Sequence, residues 1–420
     1  MVERFRMTEP KDSAVSRKRK GSIGVMSPHQ TALERWLFGF IRPDAPRGFE
    51  AWVEAQAFFA ALDDPQDRVR AVHVVGTAGK GTVAQLVARE LRRRGITVGL
   101  HLSPHVHDVR ERFTVADELP SWDEVAAAAE EIQAVVDEGH RPTFFAVTTA
   151  MALVLARRAD TEVLVIEAGI GGRYDATNTF HRADVITAIT AIGLDHQEVL
   201  GPTTDRIAFE KSAVLRGREW AVLGPQPDPV ARRTVKSAGR LHGTRFLDVV
   251  PTGDWREDAA STARAVLCWF VPDVPELDPL DQPGRYEVHE VEGRRWIFDG
   301  AHNPMKLAAL ADTVADELRP TVGIVGIGAG KDLDGCAAAL AGTLDAAVVV
   351  EFGPPPGEFG PTSHPSAAVV QALRAAGITD VVAAADSAEA IDVVVEHQPA
   401  TVMVTGSFLH LSSVREALLG

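Results

Sequence analysis

Val72-His73-Val74-Val75-Gly76-Thr77-Ala78-Gly79-Lys80-Gly81-Thr82 is a β-branched run, a glycine-rich turn and the start of a helical stretch reaching Arg94. Strand, turn and helix in that order direct backbone N–H groups and the positive end of a helix at one point, which makes an anion site. Gly76, Thr77, Gly79 and Gly81 form its backbone, Lys80 is placed to reach outer phosphates, and the Thr82 hydroxyl to hold Mg²⁺. The spacing departs from the common G-x-x-x-x-G-K-[ST], because Gly81 separates Lys80 from Thr82. Glycines alone would say little, since tight turns need them in many folds. With the lysine, the hydroxyl and the flanking elements, the stretch reads as a nucleotide loop.

Outward from this loop, short apolar runs alternate with helical periodicity. Thr31 to Leu62 suggests one or two leading helices, Ile96 to Leu100 a strand, and Trp122 to Val136 and Phe144 to Arg157 two helices. Val163 to Ile166 and Val185 to Ile189 are continuous apolar runs of the kind found in buried parallel strands. Between Val271 and Gly284 four prolines (Pro272, Pro275, Pro279, Pro283) alternate with acidic residues, which suits a stiff linker. Strands are expected again at Trp296–Phe298, Val322–Val325, Ala347–Val350, Val381–Ala384 and Val402–Val404. The expected fold is therefore α/β in two domains. Residues 26–270 form a P-loop-type, mostly parallel sheet with helices on both faces, 271–284 the linker, and 285–420 a smaller, Rossmann-like α/β domain. Residues 1–25, with Arg17-Lys18-Arg19-Lys20 and no apolar core, read as a solvated tail and no secretory signal. Met26 is an alternative start, and Pro354 to Pro365 reads as a surface loop.

Bulk properties narrow the function. A chain of 420 residues with 45% hydrophobic and 24% charged residues has the balance of a soluble globular protein. A formal net charge of -15 excludes a general nucleic-acid binder, which needs a surplus of Lys and Arg. The most apolar stretch, Phe144 to Ala156, is shorter than the about 20 residues a membrane span needs. Cys268 and Cys336 have no metal-ligand spacing and define no disulfide framework, so a reducing, cytoplasmic setting fits. No long amphipathic stripe calls for an obligate dimer, and a monomer is expected.

Other residues stand where open α/β sheets bind ligands, at the carboxyl ends of strands. Glu167 ends an apolar strand and is a candidate Mg²⁺ ligand, or else a solvated strand terminus. His196, in Ile192-Gly193-Leu194-Asp195-His196, and Lys211, in Glu210-Lys211-Ser212, would not be singled out alone. Trp296 to Pro304 is a strand, a polar turn and a helix with Pro at its start. There Asp299 is a turn former and Asn303 an N-cap, or Asp299, His302 and Asn303 together contact a ribose and base. Arg285, just past the linker, is placed to swing onto phosphates.

Taken in order, these segments resemble the folylpolyglutamate synthase/dihydrofolate synthase family of the Mur ligase superfamily. The resemblance runs through His73–Thr82, Leu102-Ser103-Pro104-His105, Ile166–Asn178, Gly193–His196, Glu210-Lys211, Pro283-Gly284-Arg285, Phe298–Pro304, Lys331-Asp332 and Thr405-Gly406-Ser407-Phe408. It implies an ATP-dependent ligase acting through an acyl phosphate on a folate-type carboxylate and L-glutamate, with ATP between the domains. It further implies catalytic roles for Lys80, His196 and Lys211, and a metal site of Thr82, Glu167, His196 and a carbamylated Lys211. ATP contacts would come from the loop and from Arg285, Asp299, His302 and Asn303. ATP and Mg²⁺ are the expected cofactors, with a monovalent cation beside them.

Several positions leave the family's pattern. Ala78 stands where Asn is usual, Asp108-Val109-Arg110-Glu111-Arg112 replaces R-x-N-E-R, Ala146 follows Phe144-Phe145 in place of Glu, and Leu409-His410 occupies a place where an aromatic is frequent. The changes gather near the acyl-substrate side. Two further readings therefore stay open: the same reaction on a non-folate carboxylate, and a nucleotide-binding homologue without catalysis.

Overall fold

The computed structural model describes residues 28–419 except 43, 106, 107, 117, 279, 281, 316 and 354–360. The expected tail, the Met26 start and much of the expected loop before Pro365 lie outside the described residues.

The first sheet holds β1 (Arg70–Val75), β2 (Val98–His101), β3 (Phe113–Val115), β4 (Val163–Glu167), β5 (Ile186–Ile189), β6 (Trp220–Leu223) and β7 (Arg245–Asp248), in the order β3-β2-β4-β1-β5-β6-β7. Only β3 runs antiparallel to its neighbour. β1 and β4 are buried almost throughout, which is why their sequences are unbroken apolar runs. Alternation sends Ala71, Leu164 and Ile166 to one face, under the helices Gly48–Ala61, Trp122–Asp137 and Phe144–Arg158. Val72, Val74, Val163 and Val165 go to the other, under Lys80–Arg93 and Trp255–Leu267. The expected sheet with helices on both faces is present.

The second sheet holds β8 (Glu287–Val291), β9 (Arg294–Asp299), β10 (Thr321–Val325), β11 (Ala346–Val350), β12 (Asp380–Ala384) and β13 (Thr401–Thr405), in the order β12-β11-β10-β13-β9-β8. It is parallel except for the β8–β9 hairpin. Helices Pro304–Val314, Leu333–Leu340 and Ser366–Ala375 cover one face, and Ser387–Glu396 and Phe408–Leu419 the other.

The proline-rich segment is not a free spacer. Val274, Leu277 and Leu280 pack on the apolar cluster beneath Lys80–Arg93. Arg94 Nη2 donates to Asp273 O at 2.7 Å, and Arg93 Nη1 to Asp278 Oδ2 at 3.4 Å. Its apolar side chains, the Asp273 carbonyl and the Asp278 carboxylate bind this stretch to the first unit.

Candidate active site

Register sets the scene: Val74 pairs with Glu167 and Val75 with Ile189, so β1, β4 and β5 end at one level. The loop leaving β1 is fastened to the segment leaving β5. Thr77 N and Ala78 N donate to Ala191 O at 2.8 and 3.1 Å, and Thr190 Oγ1 donates to Ala78 O at 2.7 Å. Those two N–H groups are thus committed within the protein, and the open cradle narrows to the backbone from Gly79 onward. Gly79 has φ +80° before the helix Lys80–Arg93, a left-handed conformation suited to glycine. At Gly76 a Cβ would fall 1.9 Å from Thr190 Oγ1.

Glu167, at the end of β4, is buried. Lys80 Nζ lies 3.7 Å from its Oε1, and Ser103 N donates to Oε2 at 3.0 Å. Opposite, Lys211 projects from the helix Thr204–Ser212 and donates to Gly76 O at 2.8 Å. Burial, then the Lys80 cation, lower the Lys211 pKa to about 7. The Gly171-Gly172-Arg173 turn seats that helix. A Cβ on Gly172 would come within 2.9 Å of Lys211 O and 3.0 Å of its Cα. Arg173 N donates to Glu210 O at 2.9 Å and its Nε to Glu210 Oε1 at 3.0 Å. Asp175 locks the turn by accepting from Ile170 N and Thr177 N, each at 2.9 Å. His196 takes a left-handed φ of +51°, and its N donates to Asp195 Oδ1 at 3.0 Å. Burial lowers the pKa of its ring.

The second unit closes over this floor. Arg285 lies on the loop, since a Cβ at Gly81 would be 2.8 Å from its Nη2, and its guanidinium is 5.3 Å from the Phe408 ring centre. Asp195 gathers the facing groups: Lys331 Nζ donates to Oδ1 at 2.6 Å and Asn303 Nδ2 to Oδ2 at 2.9 Å. His302 Nε2 and Lys306 Nζ each stand 3.7 Å from Oδ2. Against the opposing effect of burial, the His302 ring beside it and the Lys306 and Lys331 ammoniums hold the Asp195 carboxyl far below the usual range. His302 Nδ1 donates to Gly300 O at 2.7 Å, and burial lowers its pKa to about 4, so the ring is neutral near pH 7.

Two cavities open between the units. The larger, of about 1030 Å³, has Ala78, Gly79, Thr82, Trp255, Asp299 and Met305 in its wall. The smaller, of about 650 Å³, is lined by Gly76, Thr77, Lys80, Gly81, Glu167, Asp195, His196 and Lys211. Gly79, Arg285, His302, Lys306 and Phe408 line both.

Most of the expected residues therefore meet, with two exceptions. The Thr82 hydroxyl faces Gln282 Oε1 at 3.4 Å and lines only the larger cavity, apart from Glu167, His196 and Lys211. Asn303 lines neither: its Nδ2 goes to Asp195 and its Oδ1 accepts Lys306 N at 2.9 Å as the N-cap. Asp299 lines the larger cavity while accepting from Tyr286 N and Ala301 N, each at 2.8 Å. Lys306 escapes sequence reading, and Asp195 and Lys331 enter it only within stretches that carry the resemblance, without a role, because each acts across the interface between units. Asp195 had one signal, its place at a strand end beside His196.

Comparison with known proteins places the chain among relatives of the same two-unit architecture. Residues 284–408 match the Mur ligase glutamate ligase domain. Folylpolyglutamate synthase of Lacticaseibacillus casei is 32% identical over 413 residues, covering 86% of this chain and 92% of that protein. The bifunctional folylpolyglutamate synthase/dihydrofolate synthase of Yersinia pestis, solved with AMPPNP and a Mn ion, superposes with a TM-score of 0.79 at 26% identity, covering 93% of this chain and 98% of that one. A probable bifunctional folylpolyglutamate synthase/dihydropteroate synthase of Halobacterium salinarum is 33% identical over 298 residues, 61% of this chain. The match spans only 36% of that protein's length. With a glycine-rich loop, a strand-end carboxylate and a buried lysine on the first α/β unit facing the second, the chain belongs to the folylpolyglutamate synthase/dihydrofolate synthase family of the Mur ligase superfamily.

Proposed function

We propose that the chain is an ATP-dependent ligase joining a folate-type carboxylate to the amino group of L-glutamate. The acid would be dihydropteroate or a reduced folate already carrying glutamate. The carrying observation is the convergence of Lys80, Glu167, His196 and Lys211 from the first unit with Arg285, His302 and Lys306 from the second on one cleft.

In this reading a carboxylate oxygen attacks the γ-phosphorus, the bond to the β–γ bridging oxygen breaks, and ADP departs. The glutamate nitrogen then adds to the acyl carbon and loses a proton. The C–O bond to phosphate breaks, leaving an amide and inorganic phosphate. Two anions meet in the first step, so Lys80 and Arg285 serve by neutralising the transferring group. Closure of the second unit over the loop shields the acyl phosphate from water.

A divalent cation fits this cleft on one condition. Among the described residues no three His, Cys, Asp or Glu side chains converge on a metal point. Glu167 and His196 would hold Mg²⁺ with Lys211, once the Lys211 amine has added CO₂, lost a proton and become an anionic carbamate. The depressed Lys211 pKa, about 7, supplies the neutral amine that addition needs. When bound, the cation offsets negative charge on the phosphates. Thr82 belongs to the nucleotide side, and a monovalent cation is carried by the resemblance alone. Cytoplasmic location and a monomeric state complete the reading, the former supported by two free cysteines.

One observation favours testing acids other than folates. Arg110 is held bidentately by Asp108, at 3.0 and 2.6 Å, and its guanidinium lies 4.6 Å from the Trp122 ring centre, so this arginine is taken. Phosphate release from ATP should be measured with dihydropteroate, tetrahydrofolate and unrelated carboxylates, each with and without glutamate. Glutamate-dependent release with a pterin acid is expected, and stimulation by no pterin would sink the folate assignment.

A further inference from the structure

We propose that Lys306 binds the terminal phosphate of the nucleotide, contributed by the second unit to a site otherwise built on the Gly76–Thr82 loop. This rests on the reading of the cleft as an ATP site.

Lys306 stands on the first turn of the helix Pro304–Val314, where the helix dipole disfavours a cation. Its surroundings do not neutralise it. Asp195 Oδ1 already accepts from Lys331 at 2.6 Å and from His196 N at 3.0 Å, and Oδ2 from Asn303 at 2.9 Å. Lys306 Nζ is left 3.7 Å from that carboxylate, beyond hydrogen-bond distance. Among the described residues its hydrogen-bond acceptor is His302 Nε2, at 3.0 Å. An ammonium has three donors, and Lys306 is one of the residues common to both cavities, at the seam between them.

The balance of charge points the same way. The smaller cavity is lined by Lys80, Lys211, Arg285 and Lys306 against the two carboxylates of Glu167 and Asp195. Burial depresses the Lys306 pKa to about 7, opposed by Asp195 and aided by the cations of Lys80, Arg285 and Lys331. A polyanion is the ligand that would restore its charge. The seam, between the Trp255 end of the larger cavity and the Glu167 end of the smaller, is where the outer phosphates of a nucleotide held by the loop would lie. Lys80 from below and Lys306 from above would then flank the group being transferred.

Titration calorimetry on the full chain with Mg²⁺ separates this role from a structural one. In Lys306→Met, affinity for AMP-PNP should fall about tenfold or more, as expected for loss of a charge-assisted hydrogen bond, while ADP affinity changes less than about threefold. Lys306→Gln serves the same comparison should the methionine variant fail to fold. Unchanged AMP-PNP binding, or equal weakening of both nucleotides, would show a residue that only supports the interface and would overturn the proposal. A wild-type chain binding neither nucleotide would overturn the ATP reading with it. One that binds AMP-PNP yet turns over no folate refutes the substrate reading alone.

Discussion

Gly172 shows how tightly one residue can be tied to the chemistry. The backbone of Lys211 sits 2.9–3.0 Å from where a Cβ on Gly172 would be, and backbone cannot swing aside as a side-chain tip can. Gly172→Ala should therefore cost about 1–3 kcal/mol of stability by overpacking and tilt the helix that carries Lys211, which thermal unfolding and turnover would both register. Lys211 itself carries the sharpest chemical expectation. Lys211→Ala should abolish turnover and recover part of it with a short-chain carboxylic acid, whose anion can stand in for a carbamate. Full activity in that variant would rule the carbamate out. Lys80→Ala should lower kcat by about 10²–10³ with little change in folding, in line with removal of one stabilising group at a transferring charge. Lys80 was legible in the sequence because the loop around it has a motif. Lys306 and Asp195 were not, because their meaning arises only when β5 of one unit faces β9 of the other.

Elements show the same division. The boundaries of β1, β4 and the Phe144–Arg158 helix follow from apolar period and length, and the sequence reading places them within a residue or two. β7 escaped it because an edge strand with mostly exposed residues lacks the apolar run of a buried one. β8 escaped because Glu292-Gly293, with φ of +51° and +75°, makes a tight hairpin turn without the Asn-Gly or Asp-Gly that announces one. The linker was recognised by its prolines, but not its docking through Val274, Leu277 and Asp278. Because the segment through Asp278 is packed on the first unit, we propose the hinge at Gln282 to Arg285, where Thr82 meets Gln282. Small-angle scattering with and without an ATP analogue plus acid should show a more compact particle when both are bound. Superimposable profiles would remove the hinge.

The whole molecule buries neutral imidazoles, and this sets its response to acid. Burial lowers His73 to about 3, and His101, His302 and His410 to about 4. Each would titrate near its ordinary 6.5 once unfolded. The unfolded chain then binds protons that the folded chain refuses, so this stability is intact above about pH 6.5 and drains away as pH falls toward 4. The midpoint of thermal unfolding should drop between pH 7 and pH 5. His410→Leu, which removes an imidazole with its Nδ1 buried and unpaired, should shallow that drop. An unaltered slope would show that His410 takes no part. The claim that joins both units is that the cleft makes an acyl phosphate, and oxygen tracing tests it most directly. With the acid's carboxylate labelled with ¹⁸O, glutamate-dependent turnover should place one labelled oxygen in each inorganic phosphate released. Unlabelled phosphate, or label appearing in AMP, would contradict the account.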